Sequence, residues 1–140
     1  MPLNYKDPYI PQEVLEISSG FEAIFKQATA AESYGLDEIA GVGYRKALEF
    51  LIKDYCIHKN PDSVEAIKSS FLGTVIRDNV DDANVKMCAE RATWLGNDET
   101  HYVRKWEDKD INDLKVLIEL TCGWVRNNIL TEKYIADMER

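Results

Sequence analysis

The sequence predicts an all-α protein, a compact bundle of about five to six helices. Three observations carry that expectation. Prolines occur only at positions 2, 8, 11 and 61, so from Gln12 to Arg140 a single proline interrupts the chain. Apolar residues recur at three- and four-residue spacing over long stretches. Strand-like alternation bounded by hairpin turns is absent. With 140 residues and no repeat or linker, residues 1–140 read as one domain.

The first helix is expected from Gln12 to Tyr34. Val14, Leu15, Ile17, Phe21, Ile24, Phe25 and Ala28 supply its apolar face, Pro11 sits where an entering proline is tolerated, and Gly35 stops it. The second runs from Asp37, read as its N-cap, to about Lys59. Tyr44, Ala47, Leu48, Leu51, Ile52 and Tyr55 form its buried stripe. Arg45, Glu49 and Lys53 step by four along the edge of that stripe, a spacing at which neighbours pair. Asn60-Pro61 ends it.

A shorter helix is expected from Asp62, with Glu65 completing a capping box, and Gly73 weakens its end. A further turn or two covers Thr74 to Val80. Another helix spans Asp82 to Leu95 with Val85, Cys88, Ala89, Ala92 and Leu95 inward, and Gly96 reads as its C′ residue. A polar segment, Asn97 to Lys109, follows. Asp110 caps a long helix with Ile111, Leu114, Leu117, Ile118, Thr121 and Trp124–Val125 on its inner face, Trp124 among the core residues. Thr131 to Arg140 form a last, weakly apolar helical segment.

Composition narrows the function. The net charge of −8 sets up a field that repels nucleic acid at long range, which argues against a general nucleic-acid coat protein but leaves room for a local basic site. No apolar run approaches membrane-spanning length, and the N-terminal stretch MPLNYKDPYIPQEV has no apolar core of a secretory signal. Three widely spaced cysteines, Cys56, Cys88 and Cys122, argue against a disulfide framework and for a cytoplasmic, reducing compartment.

Several groups invite a chemical reading. The cysteines with His58 would offer soft metal ligands, but no Cys-x-x-Cys pair exists and core packing explains them more simply. Asp78, Asp81 and Asp82 lack the spacing of a calcium loop and read as acids at a helix start. No metal and no cofactor is called for. Arg104-Lys105-Trp106 interleaves basic and aromatic groups, as a base-stacking surface would, although a tryptophan pinning a loop is the simpler account. Asn97 and His101 are four apart and share a face if a helical turn follows Gly96. A histidine beside an arginine can act as general acid or base on a ribose hydroxyl; the simpler account is a loop tied down by hydrogen bonds.

Three blocks carry a resemblance. They are Ile39-Ala40-Gly41-Val42-Gly43-Tyr44-Arg45-Lys46-Ala47-Leu48-Glu49 with Leu51 to Tyr55, then Trp94-Leu95-Gly96-Asn97-Asp98-Glu99-Thr100-His101-Tyr102, then Trp106-Glu107-Asp108-Lys109-Asp110-Ile111 leading into Leu114-Lys115. In order and spacing the chain, from about Pro11 to Trp124, resembles the domain-of-unknown-function 4145 family, which looks like a branch of the HEPN superfamily of helical, often dimeric domains. Many of those are metal-independent ribonucleases of toxin–antitoxin, CRISPR-linked and antiphage systems. Their motif is an arginine, often followed directly by a polar residue, then four to six spacers from the arginine to a histidine.

The resemblance implies that His101 fills the histidine position and Asn97 the polar one. The arginine position, five before His101, is Gly96, a departure from the pattern. Charge for a phosphorane would then come from Arg45, Arg91 or Arg104. The expected site is therefore Arg45, Glu49, Asn97 and His101, with Arg91, Arg104, Lys105 and Trp106 as substrate-binding residues.

The leading expectation is a HEPN-like module of a bacterial or phage defence or toxin–antitoxin type system that binds nucleotide, RNA or a protein partner. The alternative is a metal-independent endoribonuclease using His101. A third reading, from acidity alone, is a toxin-neutralising protein. The resemblance also implies a homodimer, with the last helix as a candidate contact.

Overall fold

The computed structural model describes residues 6–99, 105 and 109–140. All regular structure among them is helical: α1 (Gln12–Ile17), α2 (Ser19–Ser33), α3 (Asp37–Lys59), α4 (Val64–Ser69), α5 (Leu72–Asn79), α6 (Ala83–Glu99) and α7 (Ile111–Asp137). The bundle is as expected, with seven described helices in place of five or six.

Helix α3 is the central element. It packs against α2, α5, α6 and α7, and its face Ala40, Tyr44, Ala47, Leu48, Leu51, Ile52 and Tyr55 is buried. Phe21 and Phe25 of α2 stack at 4.9 Å between centroids, and Phe25 meets Tyr44 at 5.5 Å. Val75 and Ile76 of α5, Val85, Ala89 and Ala92 of α6, and Leu114, Ile118 and Val125 of α7 close the core from the other sides. Removing this much apolar surface from water is the dominant stabilising term.

The α2–α3 hairpin turns on Gly35. Its φ of 79° is the left-handed conformation that glycine adopts without a Cβ penalty. Gly35 N–H donates to Glu32 O and Leu36 N–H to Ala31 O, both at 2.9 Å, the paired bonds of a Schellman ending. Past this turn, Tyr44 Oη donates to Glu32 Oε1 at 2.6 Å, and Lys115 Nζ of α7 reaches the same oxygen at 3.5 Å. One carboxylate thus joins three helices.

The first expected helix is two. Ser18 separates α1 from α2: its hydroxyl accepts from Phe21 N–H at 3.2 Å and donates to Asp54 Oδ2 of α3 at 2.5 Å. A serine that caps a new helix and bonds a distant acid outcompetes the continuous backbone ladder. At α3 the N-cap is Leu36, and Asp37 lies inside the first turn. The capping box at Asp62 and Glu65 is not formed; Pro61–Ser63 make a 3₁₀ turn into α4 with no side-chain cap. Gly73 lies within α5, and the chain breaks at Ser70–Phe71.

Helix α6 also departs from expectation. It does not stop at Leu95 but passes through Gly96 to Glu99. Gly96 is there for close approach: a Cβ on it would lie 2.9 Å from Arg45 Cγ and 3.1 Å from Arg45 Cβ. Asp82 caps the other end, accepting from Val85 N–H at 2.9 Å. Cys88 is only partly buried, unlike its neighbours on the inner face. The capping box at Asp110 is present, with Asp113 as its reciprocal acid. Thr131 to Asp137 continue α7 without a break, and their side chains are exposed. Trp124 is partly buried against the core, not enclosed in it.

Candidate functional site

The site is built where α3 and α6 touch. On α3, Arg45, Glu49 and Lys53 stand one turn apart on one face. Glu49 Oε1 pairs with Arg45 Nη1 at 3.1 Å and Glu49 Oε2 with Lys53 Nζ at 2.9 Å. From α6, Asn97 Oδ1 accepts from Arg45 Nε at 2.9 Å. A guanidinium only donates, so the amide must present its oxygen to Arg45. The Gly96 backbone lies against the Arg45 stem, and this flat contact is what lets Asn97 reach Nε.

Electrostatics follow from the pairing. Partial burial pushes the Glu49 carboxyl up, but the hydrogen bonds and charges of Lys53 and then Arg45 outweigh it and hold the group below its ordinary value. Glu49 is thus kept ionised and faces a cation on each oxygen. The Arg45 side chain remains 32% exposed, and its Nη2 group has no acceptor among the described residues. Arginine does not release its proton and asparagine does not titrate. The described part of the site can therefore hold and orient an anion, while proton transfer would need another group.

His101, Arg104 and Trp106 lie outside the described residues. Lys105 is exposed, and its backbone N–H donates to Asp98 Oδ1 at 2.5 Å, so the buried Asp98 holds Lys105 against α6. Arg91 sits elsewhere. It stands about 140° around α6 from Gly96 at 100° per residue. Its guanidinium covers the Trp94 ring at 5.3 Å and donates to Met87 O at 3.0 Å. With Lys109, Asp113, Val116 and Leu117 it lines a separate cavity of about 350 Å³ between α6 and α7.

Among the described residues no three His, Cys, Asp or Glu side chains converge as a metal site would need. Burial pushes the Cys56 thiol up to about 11 and the Cys122 thiol up to about 12, as expected of cysteines packed in a core. No described helix is long and apolar enough to cross a membrane.

The pairing of Arg45 with Asn97 crosses 52 positions; the two are expected in one site through the resemblance, and no local spacing announces the bond itself. The Ser18–Asp54 bond spans 36 positions and is not anticipated in the sequence, because no local pattern marks it.

No family model matches the chain, and no curated protein or solved structure matches it.

Proposed function

We propose that the protein is a HEPN-like helical module of a bacterial defence or toxin–antitoxin type system, and that Arg45 and Asn97 bind the phosphate of an RNA or nucleotide. One observation carries this reading. Arg45 leans over Gly96, the position where the resembled motif has its arginine, and bonds Asn97, the neighbouring polar position. An arginine from α3 thereby stands beside the position that lacks one. Its pairing to Glu49 fixes the fork, and the Nη2 group leaves a donor for a phosphate oxygen.

The same placement favours a second reading, a metal-independent endoribonuclease. His101 follows Asn97 by four residues, and a guanidinium beside it would supply the charge that a phosphorane needs. On the binding reading, proton-transfer groups play no part; on the catalytic one, His101 is the base.

Purified protein incubated with mixed RNA in EDTA separates the two. Binding without cleavage, weakened in Arg45→Ala and unchanged in His101→Ala, supports the binding module. Cleavage that disappears in His101→Ala and in Arg45→Ala supports the nuclease. Absence of both binding and cleavage rejects the RNA reading.

A further inference from the structure

A second cavity adjoins the Arg45 site and shares one of its walls. It holds about 390 Å³ between α3 and α4, and Glu49 lines it together with Lys46, Lys53, Lys68, Asp54 and Phe50. Glu49 therefore stands between two groups of cations, with Arg45 on one oxygen and Lys53 on the other.

The charges in this cavity favour an anion. Lys53 is nearly buried and is held by Glu49 and by Lys68 O at 3.1 Å, so its ammonium is fixed in place. Lys46 and Lys68 are exposed, and their ammonium groups have no acceptor among the described residues. Of the two acids, Glu49 faces a cation on each oxygen, while Asp54 accepts from Ser18 Oγ at 2.5 Å and lies within the electrostatic reach of Lys68. In a chain of net charge −8, the three lysines around this cavity outnumber its two acids, Glu49 and Asp54, and leave a local excess of one positive charge.

An aromatic group sits among these cations. Phe50 is 37% exposed, although it projects from the central helix. Its ring is backed by Gly20 of α2, where a Cβ would lie 2.5 Å from Phe50 Cδ1. A ring seated on glycine on one side and bordering an open cavity on the other can serve as a platform for a nucleobase. Ammonium groups interleaved with an aromatic surface are the combination that single-stranded nucleic acid uses.

We infer that the α3–α4 cavity takes the base and phosphate of a nucleotide next to the one whose phosphate Arg45 holds, so that the ligand is a single strand of RNA rather than a mononucleotide. This inference rests on the function proposed above. The strand would pass over the paired Glu49, with Arg45 and Asn97 gripping one phosphate and Lys46 and Lys68 the next.

The test is fluorescence anisotropy with a labelled ten-residue oligoadenylate RNA over a series of salt concentrations, with AMP as competitor. The variants are Lys46→Gln/Lys68→Gln, Phe50→Leu, Phe50→Trp and Arg45→Ala, each checked for folding by circular dichroism. The double lysine variant should lower the slope of log K against log salt by about 1.4, at roughly 0.7 for each phosphate no longer neutralised. Phe50→Leu keeps an apolar side chain on Gly20 but not the ring, and should weaken binding about five- to hundred-fold. Phe50→Trp should retain binding, which a purely packing role for the ring would not require. AMP should compete only at far higher concentration than unlabelled RNA.

If Arg45→Ala weakens binding while the lysine and Phe50→Leu variants match wild type, the cavity inference is overturned and the proposed function stands. Equal competition by AMP and RNA also overturns it. If wild type binds no RNA, both fall.

Discussion

Arg45 Nε and Asn97 Oδ1 lie 2.9 Å apart across the α3–α6 crossing, with Gly96 directly beneath the arginine stem. The bond joins the two regions that the sequence marks separately, and glycine makes the approach possible.

The first prediction concerns that glycine. Gly123 lies inside α7, and a Cβ added to it would meet nothing within 4 Å, whereas one on Gly96 would meet Arg45 at 2.9 Å. Gly123→Ala should raise stability by about 1 kcal/mol through helix propensity alone. Gly96→Ala gains the same propensity but overpacks the crossing at a cost of about 1–3 kcal/mol, so it should be neutral to destabilising. Thermal unfolding of the two variants checks the contrast. A Gly96→Ala protein stabilised as much as Gly123→Ala would show that the crossing is loose.

The second concerns pH. The Glu49 carboxyl is held below its ordinary value of 4.5 in the folded protein. A depressed folded value contributes stability that is present above pH 4.5 and is lost as pH falls through the folded value. Glu49→Gln should therefore be less stable than wild type near neutrality, by about 1 kcal/mol for a partly exposed double pair. The gap should close as pH drops below 4.5. Urea unfolding at pH 7 and pH 3.5 measures it; a gap that widens in acid would contradict the pairing.

These two predictions depend on features of unequal legibility. The helical class, the buried stripe of α3 and the Asp110 cap could be read from spacing, because periodicity and capping are local. So could the Arg45–Glu49–Lys53 ladder, since four-residue steps align side chains on any helix. The role of Gly96 could not. A glycine near the end of an apolar pattern reads as a cap, and only the position of α3 shows that it is a contact. Ser18 misled for a similar reason: the apolar spacing continues through it, and the acid that draws it out of the ladder is on another helix. The nearness of Arg45, Glu49 and Asn97 is anticipated through the resemblance, and the three are hydrogen-bonded together, while His101, Arg104 and Trp106 lie outside the described residues.

A third prediction follows from Ser18, which is 1% exposed. Ser18→Ala removes the cap on Phe21 N–H and the donor to Asp54. A lost cap together with an unsatisfied, half-buried carboxylate should cost about 1–3 kcal/mol. Denaturant midpoints should fall with an unchanged m-value. A shift within error of zero would mean that water replaces the hydroxyl at no cost.

The fourth concerns the thiols. Cys56 and Cys122 are buried with raised values, while Cys88 is partly exposed. At pH 8 a thiol reagent should modify Cys88 first and the other two only as the protein opens. Rapid reaction of all three in native protein would contradict the packing around α3 and α7.

The most direct test of the central claim is the NMR signal of Arg45 Nε–H, assigned by its loss in Arg45→Lys. The bond to Asn97 should slow its exchange with water, and titration with single-stranded RNA in EDTA should shift it in step with binding. RNA binding that leaves this signal unmoved, or a signal that exchanges as fast as a free arginine and meets no RNA, would contradict a phosphate site at the crossing of α3 and α6.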